Sequence, residues 1–497
     1  MSDSTDETVR TVKEPSYADA LIPLIALIVL ISASVFLFGT EAVDGPVQVA
    51  LILCCMICAL IVLKNGHPWE QVVRSGKMAF ESIVTPVFIL FAVGALIGTW
   101  NMAGTIPTLV YYGIHILEPS YFYAASFLIC SVVALAIGSS WTTAGTIGVG
   151  LVGLASLLGV SPAIAAGAVI SGAYVGDKLS PLSETTVLTS QIVGVNLYTH
   201  LKAMVWTSGP AAVISLIVFT ILGFSFPVLA DVDTGSELKQ LNQLFWITPW
   251  TLIPVVVLVV MSVRKVPASL AIMTAALVAG AIAPILQPDA VNRFIHAPGL
   301  PQPIANIKAI WVALGTGFQA NSGIAALDSL LSRGGMDSML KTLWIIMGAV
   351  TFGTLLDQFD LLGKLVQPLL RAARSTGRLF LAVVGTAFGL NVIAGDQYIA
   401  LVLPARVYRA EFEKRGLKPQ NLSRACADGG TVTSPLVPWN SCGAYMAATL
   451  GVATIAYLPF CIFNIASPII SVLLGVTGFK IARMAAEEGV EPHPAPV

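Results

Sequence analysis

The chain reads as a series of long apolar runs separated by short polar turns, and the length of those runs sets the first expectation. Leu21 to Phe38 is one such run, long enough to cross a bilayer as a helix. The pattern predicts spans over residues 17–38 and 46–64, joined by the acidic turn Glu41 to Asp44. Further along, apolar segments are interrupted in mid-course rather than at their ends, by polar clusters at 138–145, 176–186, 389–397 and 428–442. Residues 1–16 carry both signs of charge and no apolar core, which predicts a solvated, disordered tail rather than a signal peptide. The end of the chain is charged and proline-bearing, so residues 481–497 are expected to be a second disordered tail.

Landmarks then recur in one order. Arg74-Ser75-Gly76-Lys77-Met78 opens a unit that later holds Gly94 and Met102-Ala103-Gly104. Arg333-Gly334-Gly335-Met336 opens another, with Gly353 and Leu361-Leu362-Gly363 at similar spacings. Gly159-Val160-Ser161-Pro162 precedes Asp177 and Ser180-Pro181-Leu182, as Gly416-Leu417-Lys418-Pro419 precedes Asp428 and Ser434-Pro435-Leu436. These spacings predict two repeats, over 74–226 and 333–480. Scaffold helices over 17–73 precede them, and linker and scaffold helices over 227–332 lie between. That linker holds the polar loop Asp231 to Gln243, apolar spans near 247–262 and 268–286, and a proline-rich loop at 287–303.

Charge orients the repeats. Lys64, Arg74 and Lys77 place the second loop, and with it the N-terminus, on the cytoplasmic side. Arg371, Arg374 and Arg378 form one basic loop of the second half, and Arg406, Arg409, Lys414, Arg415 and Lys418 another. The matching places in the first half, Ile116 to Tyr121 and Leu157 to Pro162, carry almost no basic residues. The halves are therefore expected to be inverted in the membrane, with a binding site between them at the midplane. Leu379 to Pro404 starts and ends beside loops on one side and is too short for two spans. It is expected to be a re-entrant hairpin over 379–405, interrupted by Gly389, Asn391, Gly395, Asp396 and Gln397. Its counterpart is a hairpin over 121–158 with its tip at Gly138 to Gly145, although that segment is long enough to be two tilted spans. A broken helix follows each hairpin, over 162–200 and 420–456.

Composition agrees with a membrane location. The chain is 56% hydrophobic and 11% charged, against about 25% charged in an average soluble domain. A net charge of −1 argues against nucleic acid as a partner. The seven cysteines form no disulfide framework, and Cys54, Cys55 and Cys58 fall in one apolar run. His67, His115, His200, His296 and His493 are scattered, so no metal centre or resident cofactor is expected. Neither an HExxH nor a GxSxG motif is present, and no enzymatic activity is expected.

The interruptions carry the chemistry. Gly176-Asp177-Lys178-Leu179-Ser180-Pro181-Leu182-Ser183-Glu184-Thr185-Thr186 puts two acids, a lysine and hydroxyls into an apolar setting, where charge is costly and marks an ion or substrate path. Glycine and proline there are expected to open the helix from Gly176 to Thr186, and from Asp428 to Cys442 in the second half. Opened backbone would add carbonyl oxygens to the hydroxyls and carboxylates, a donor set that suits Na+. The candidate ion- or substrate-binding residues are Ser139, Ser140, Thr142 and Thr143 on the first tip and Asp177, Lys178, Ser180, Glu184 and Thr185 on the first break. In the second half they are Asn391 and Asp396 on the tip and Asp428, Thr433, Ser434 and Asn440 on the break. Asp177, Glu184, Asp396 and Asp428 are the Na+ candidates, since a carboxylate holds Na+ when ionised and a proton when neutral. Lys178 is expected either to be a counter-ion to Asp177 or Glu184 or to snorkel away. Trp141 and Trp439 could line a cavity. Asp357 and Asp360 sit near the end of a span, and Glu81, His200 and Lys202 lie near helix ends and are expected to be solvated.

The 176–186 run, together with Gly395-Asp396-Gln397-Tyr398 downstream, resembles the NhaC-type Na+/H+ antiporter family of the ion-transporter superfamily. The likeness spans about residues 20–480. It implies inverted repeats, paired re-entrant hairpins, an elevator-type scaffold plus transport domain, and a homodimer. The family includes Na+/H+ antiporters, malate/lactate exchangers and amino-acid carriers, so the likeness leaves the substrate open. The second break has no counterpart of Glu184, and no arginine pair stands at either break to hold a dicarboxylate bidentately. The sequence therefore predicts an all-α polytopic protein of a bacterial inner membrane that exchanges Na+ for H+. The alternative is a Na+-coupled carrier or exchanger of a small organic acid or amino acid.

Overall fold

A computed structural model of the chain describes residues 12–225, 234–297, 299–323, 328 and 331–484. Among the described residues eight helices are long and apolar enough to cross a bilayer, and the one β-bridge is the isolated pair Leu417–Arg483. This is an all-helical, multi-pass membrane protein. Residues 1–11 and 485–497, the larger part of both expected tails, lie outside the described residues, as do 226–233 of the linker. The inner parts of those tails are tied down, contrary to expectation. The Lys13 amide donates to the Asn65 carbonyl at 2.9 Å, and the Lys418 amide donates to the Ala482 carbonyl at 3.0 Å. Loop backbone groups take such partners wherever packing withholds water.

The first two helices run Tyr17–Phe38 and Pro46–Lys64. Ser16 and Asp19 cap the first reciprocally, and Lys64 closes the pair by an ion pair to Asp19 at 2.7 Å. The 34-residue helix Trp69–Met102 follows and packs against Ala268–Leu286, Gln302–Gly315 and Leu340–Gln358. Glycine permits that packing. A Cβ on Gly98 would lie 2.2 Å from the Ala313 carbonyl oxygen, and one on Gly94 would lie 2.4 Å from that of Gly335.

Two helical hairpins carry the polar tips. The first joins Phe122–Ile137 to a helical stretch that starts at Ser140 and ends at Leu157, with one π-helical turn over Ala144–Gly148. The second joins Thr376–Ile393 to Gln397–Lys414. Its limbs are 18 residues each, and the second continues nine residues beyond 405, the end expected from sequence. Pro404 is tolerated inside that helix. It leaves the Ala400 carbonyl without its usual intrahelical donor, at the place where Gly430 packs against it. The expected interruption at Gly389 is absent, because Thr376–Ile393 runs through it. The turn is made instead by Gly395 at φ +62°, as Gly138 at φ +79° makes the first.

Both broken helices are narrower in their breaks than expected. Pro162–Leu179 is continuous through Gly176, Asp177 and Lys178, and the break is 180–183 before Glu184–Val193 begins. Pro419–Gly429 likewise includes Asp428; the break is 430–440, containing a single 3-10 turn at Ser434–Leu436, and Ser441–Leu450 follows. Gly172 and Gly176 serve close approach rather than unwinding. Added Cβ atoms would lie 2.3 Å from the Phe127 carbonyl oxygen and 2.4 Å from the Leu135 nitrogen. Gly429 does the same for the second hairpin, where a Cβ would sit 2.8 Å from the Val384 carbonyl oxygen.

Candidate functional site

Each hairpin is bonded, at or near its tip, to the broken helix that follows it. In the first half Ser140 Oγ donates to Asp177 Oδ2 at 2.6 Å, and Ser180 Oγ donates to the Leu135 carbonyl at 2.9 Å. In the second, Asn391 Nδ2 donates to the Gly430 carbonyl at 2.6 Å and to Thr433 Oγ1 at 3.0 Å. Asn440 Nδ2 donates to Asn391 Oδ1 at 3.0 Å, and the Ser441 amide to the Gly395 carbonyl at 2.9 Å. The halves also meet each other. Trp141 stacks on Tyr445 with ring centroids 4.0 Å apart, and the Tyr445 hydroxyl donates to the Trp141 carbonyl at 2.9 Å. Tyr174 and Ser434 share a hydrogen bond at 3.3 Å.

Four helices begin at this meeting point, each with a side-chain cap. Ser139 accepts from the Thr142 amide, Ser183 from that of Thr186, Asp396 from those of Tyr398 and Ile399, and Asn440 from that of Cys442. The first residues of all four helices border one cavity of about 400 Å3: Ser140, Glu184, Gln397 and Ser441. Asp177, Glu184 and Asp396 bring three carboxylates to its wall, beside Ser139, Thr142 and Thr185. Further lining comes from elements outside the hairpins and broken helices, with Ser82, Thr85 and Pro86, Ser262, Lys265 to Ala268, and Ile346 and Val350. Asp177 and Asp396 are each 7% exposed, whereas Glu184 is exposed. Four helix N-termini stabilise negative charge at this place, and three acids supply it.

The expected residues thus divide. Seven of the binding candidates line the cavity, namely Ser139, Ser140, Thr142, Asp177, Glu184, Thr185 and Asp396, and Trp141 lines it too. Thr143 is turned to its own helix and donates to the Ser139 carbonyl at 2.9 Å. Ser180, Asn391, Thr433, Ser434 and Asn440 hold the tips and breaks together. Asp428 is buried elsewhere, and the expectation of Lys178 beside Asp177 or Glu184 is corrected. Its ammonium forms an ion pair with Asp428 of the other half, both side chains being essentially unexposed. His200 is another correction, fully buried and sharing a 2.9 Å hydrogen bond with Ser423. Glu81 and Lys202 are exposed. Trp439 donates to the Val392 carbonyl at 2.6 Å, which fixes the second tip. As binding candidates, sequence missed Ser82, Thr85, Ser262, Lys265, Gln397, Tyr398 and Ser441. Gln397, Tyr398 and Ser441 adjoin the capping residues, a signal that the start of each helix could have supplied.

A multi-pass helical protein with a charged cavity enclosed by paired hairpin tips and helix breaks has the build of a membrane transporter. The chain belongs to the Na+/H+ antiporter family, which matches it over residues 16–193 and 172–479. It is 33% identical over 471 residues to the Na+/H+ antiporter NhaC of Alkalihalophilus pseudofirmus, covering 95% of this chain and 98% of that protein. It is 35% identical over 473 residues to the malate-2H+/Na+-lactate antiporter of Bacillus subtilis, covering 95% and 96% of the two chains. With the arginine/ornithine antiporter ArcD of Halobacterium salinarum it shares 31% identity over 484 residues, 96% of each chain.

Proposed function

We propose that the protein is a secondary active transporter that exchanges Na+ for H+ across a bacterial cytoplasmic membrane. The observation that carries this reading is the convergence of Asp177, Glu184 and Asp396, with serine and threonine hydroxyls, on one cavity between the tips and breaks of both halves. Carboxylate and hydroxyl oxygens suit Na+, and the same carboxylates accept protons, so the two ions compete for one set of groups. Competition of this kind produces exchange when the cavity opens to one side at a time. In this reading the hairpins and broken helices move as a transport domain. The wall formed by Ser82 to Ile89, Ser262 to Ala268 and Ile346 to Val350 belongs to a fixed scaffold, of which two copies form a homodimer. The basic loops support a cytoplasmic N-terminus.

In everted membrane vesicles holding a respiration-driven pH gradient, Na+ should dissipate the gradient. Retention of that activity in the Asp177→Asn/Glu184→Gln double variant would overturn the assignment. A second reading has its own support. A cavity of about 400 Å3 exceeds the needs of a bare Na+, and four helix N-termini suit the carboxylate of a small organic acid or amino acid. Uptake of labelled lactate, malate or basic amino acids into proteoliposomes, dependent on Na+ and on Asp177, would establish it.

A further inference from the structure

Asp428 is fully buried, lies away from the cavity, and is surrounded by groups that would suit a metal cation. Its Oδ1 atom accepts from Ser467 Oγ at 2.8 Å and from Thr207 Oγ1 at 3.1 Å. The ammonium of Lys178 stands among the same oxygens, paired with Asp428, donating to Ser467 Oγ at 2.7 Å and lying 3.5 Å from Thr207 Oγ1. Carboxylate and hydroxyl oxygens around a single positive charge are the surroundings of a bound Na+. Here the charge arrives on a side chain of the other half. Asp428 Oδ2 has no partner among the described residues and could take part in binding a cation of different shape.

We infer that Lys178 is a resident cation, an ammonium filling a Na+-like site that Asp428, Ser467 and Thr207 would otherwise form. The site is therefore closed to transported ions, and the cations that move are handled by Asp177, Glu184 and Asp396 alone. Two further groups face this pair. Arg424 lies one helical turn before Asp428, and among the described residues its Nε and Nη2 and the Nε2 of His200 have no partner. Arg424 is the competitor, since it could turn to Asp428 once Lys178 is removed. The inference concerns which cation occupies Asp428 and stands apart from what the cavity transports.

The test is thermal unfolding of the purified full-length protein in detergent, in choline chloride and with Na+ added. Lys178→Ala should lower Tm sharply in choline. Added Na+ should restore a large part of the loss along a saturable curve, with a response much greater than that of the unmodified protein. Lys178→Ala/Asp428→Asn should recover Tm in choline and lose the extra Na+ response. If the single variant can be isolated only in NaCl, its aggregation in choline is the same result. A Lys178→Ala protein that unfolds or aggregates equally in both salts, or that is as stable as the unmodified protein in choline because Arg424 has replaced the lysine, would overturn the inference.

Discussion

Asp396 performs two tasks that substitution can separate. Its Oδ1 atom caps the helix Gln397–Lys414, accepting from Tyr398 at 2.8 Å and Ile399 at 3.0 Å, while its charge borders the cavity. Asparagine caps as well as aspartate, whereas loss of a cap costs about 0.5–2 kcal/mol. Asp396→Asn should therefore unfold within a few degrees of the native protein yet lose Na+-dependent exchange, and Asp396→Ala should lose both. Native-like exchange by Asp396→Asn in everted vesicles would reduce this residue to a cap. Proton competition makes a second prediction at the same scale. Protonation removes the carboxylate that Na+ needs, so the Na+ concentration giving half-maximal exchange should rise as pH falls. For competition at one carboxylate, the limit is about tenfold per pH unit. A half-saturation independent of pH between 6 and 9 (a range of about three units that exposes such competition) would rule out a shared site.

Among elements, the glycines show why interruptions were only partly legible. Gly176 and Gly389 both looked like breaks, and both are helical. One glycine costs a helix only about 1 kcal/mol, which packing easily offsets. A residue that must adopt positive φ is different: Gly138 and Gly395 do so, and each tip turns there. Sequence cannot separate the two uses, because the distinction lies in what surrounds the backbone. A Cβ on Gly389 would meet nothing within 4 Å, whereas one on Gly176 would press into the backbone of the first hairpin. Gly389→Ala is thus expected to raise stability by about 0.5–1 kcal/mol, as helix propensity dictates. Gly176→Val should sharply reduce the yield of folded protein. Comparing the two by size-exclusion profile and Tm checks both outcomes; a tolerated Gly176→Val would contradict the close packing described above.

For the whole molecule the question is how the two halves face the membrane. By the positive-inside rule, basic residues around Arg374 and their scarcity near Glu118 predict opposite sides for these loops. Single cysteines introduced at Arg374 and Glu118 should accordingly react with an impermeant maleimide from opposite faces, Glu118→Cys in intact cells and Arg374→Cys in everted vesicles. Six of the seven native cysteines are buried and Cys55 is half-buried, so background labelling is low. Labelling of both positions from one face would exclude inverted halves. The second measurement at this scale is the Na+-dependent stability of Lys178→Ala, since the pair with Asp428 joins segments 250 residues apart. A buried charge left alone costs about 3–5 kcal/mol, and that is the size of effect to expect in choline.

The sequence by itself determined the long helices and the three carboxylates of the cavity. Spans read at 17–38 and 46–64 are the helices Tyr17–Phe38 and Pro46–Lys64, and charge in the 176–186 run marked Asp177 and Glu184. Helix formation and the cost of charge in hydrocarbon depend on neighbouring residues, so they are written locally. Only the tertiary structure decided which acid met which cation. Asp177 and Lys178 are adjacent in sequence, but successive residues of a helix point about 100° apart. One therefore faces the first tip and the cavity, and the other crosses to Asp428. Position in sequence could not distinguish an acid that faces an open cavity from one already neutralised by a lysine, because that depends on how the two halves pack.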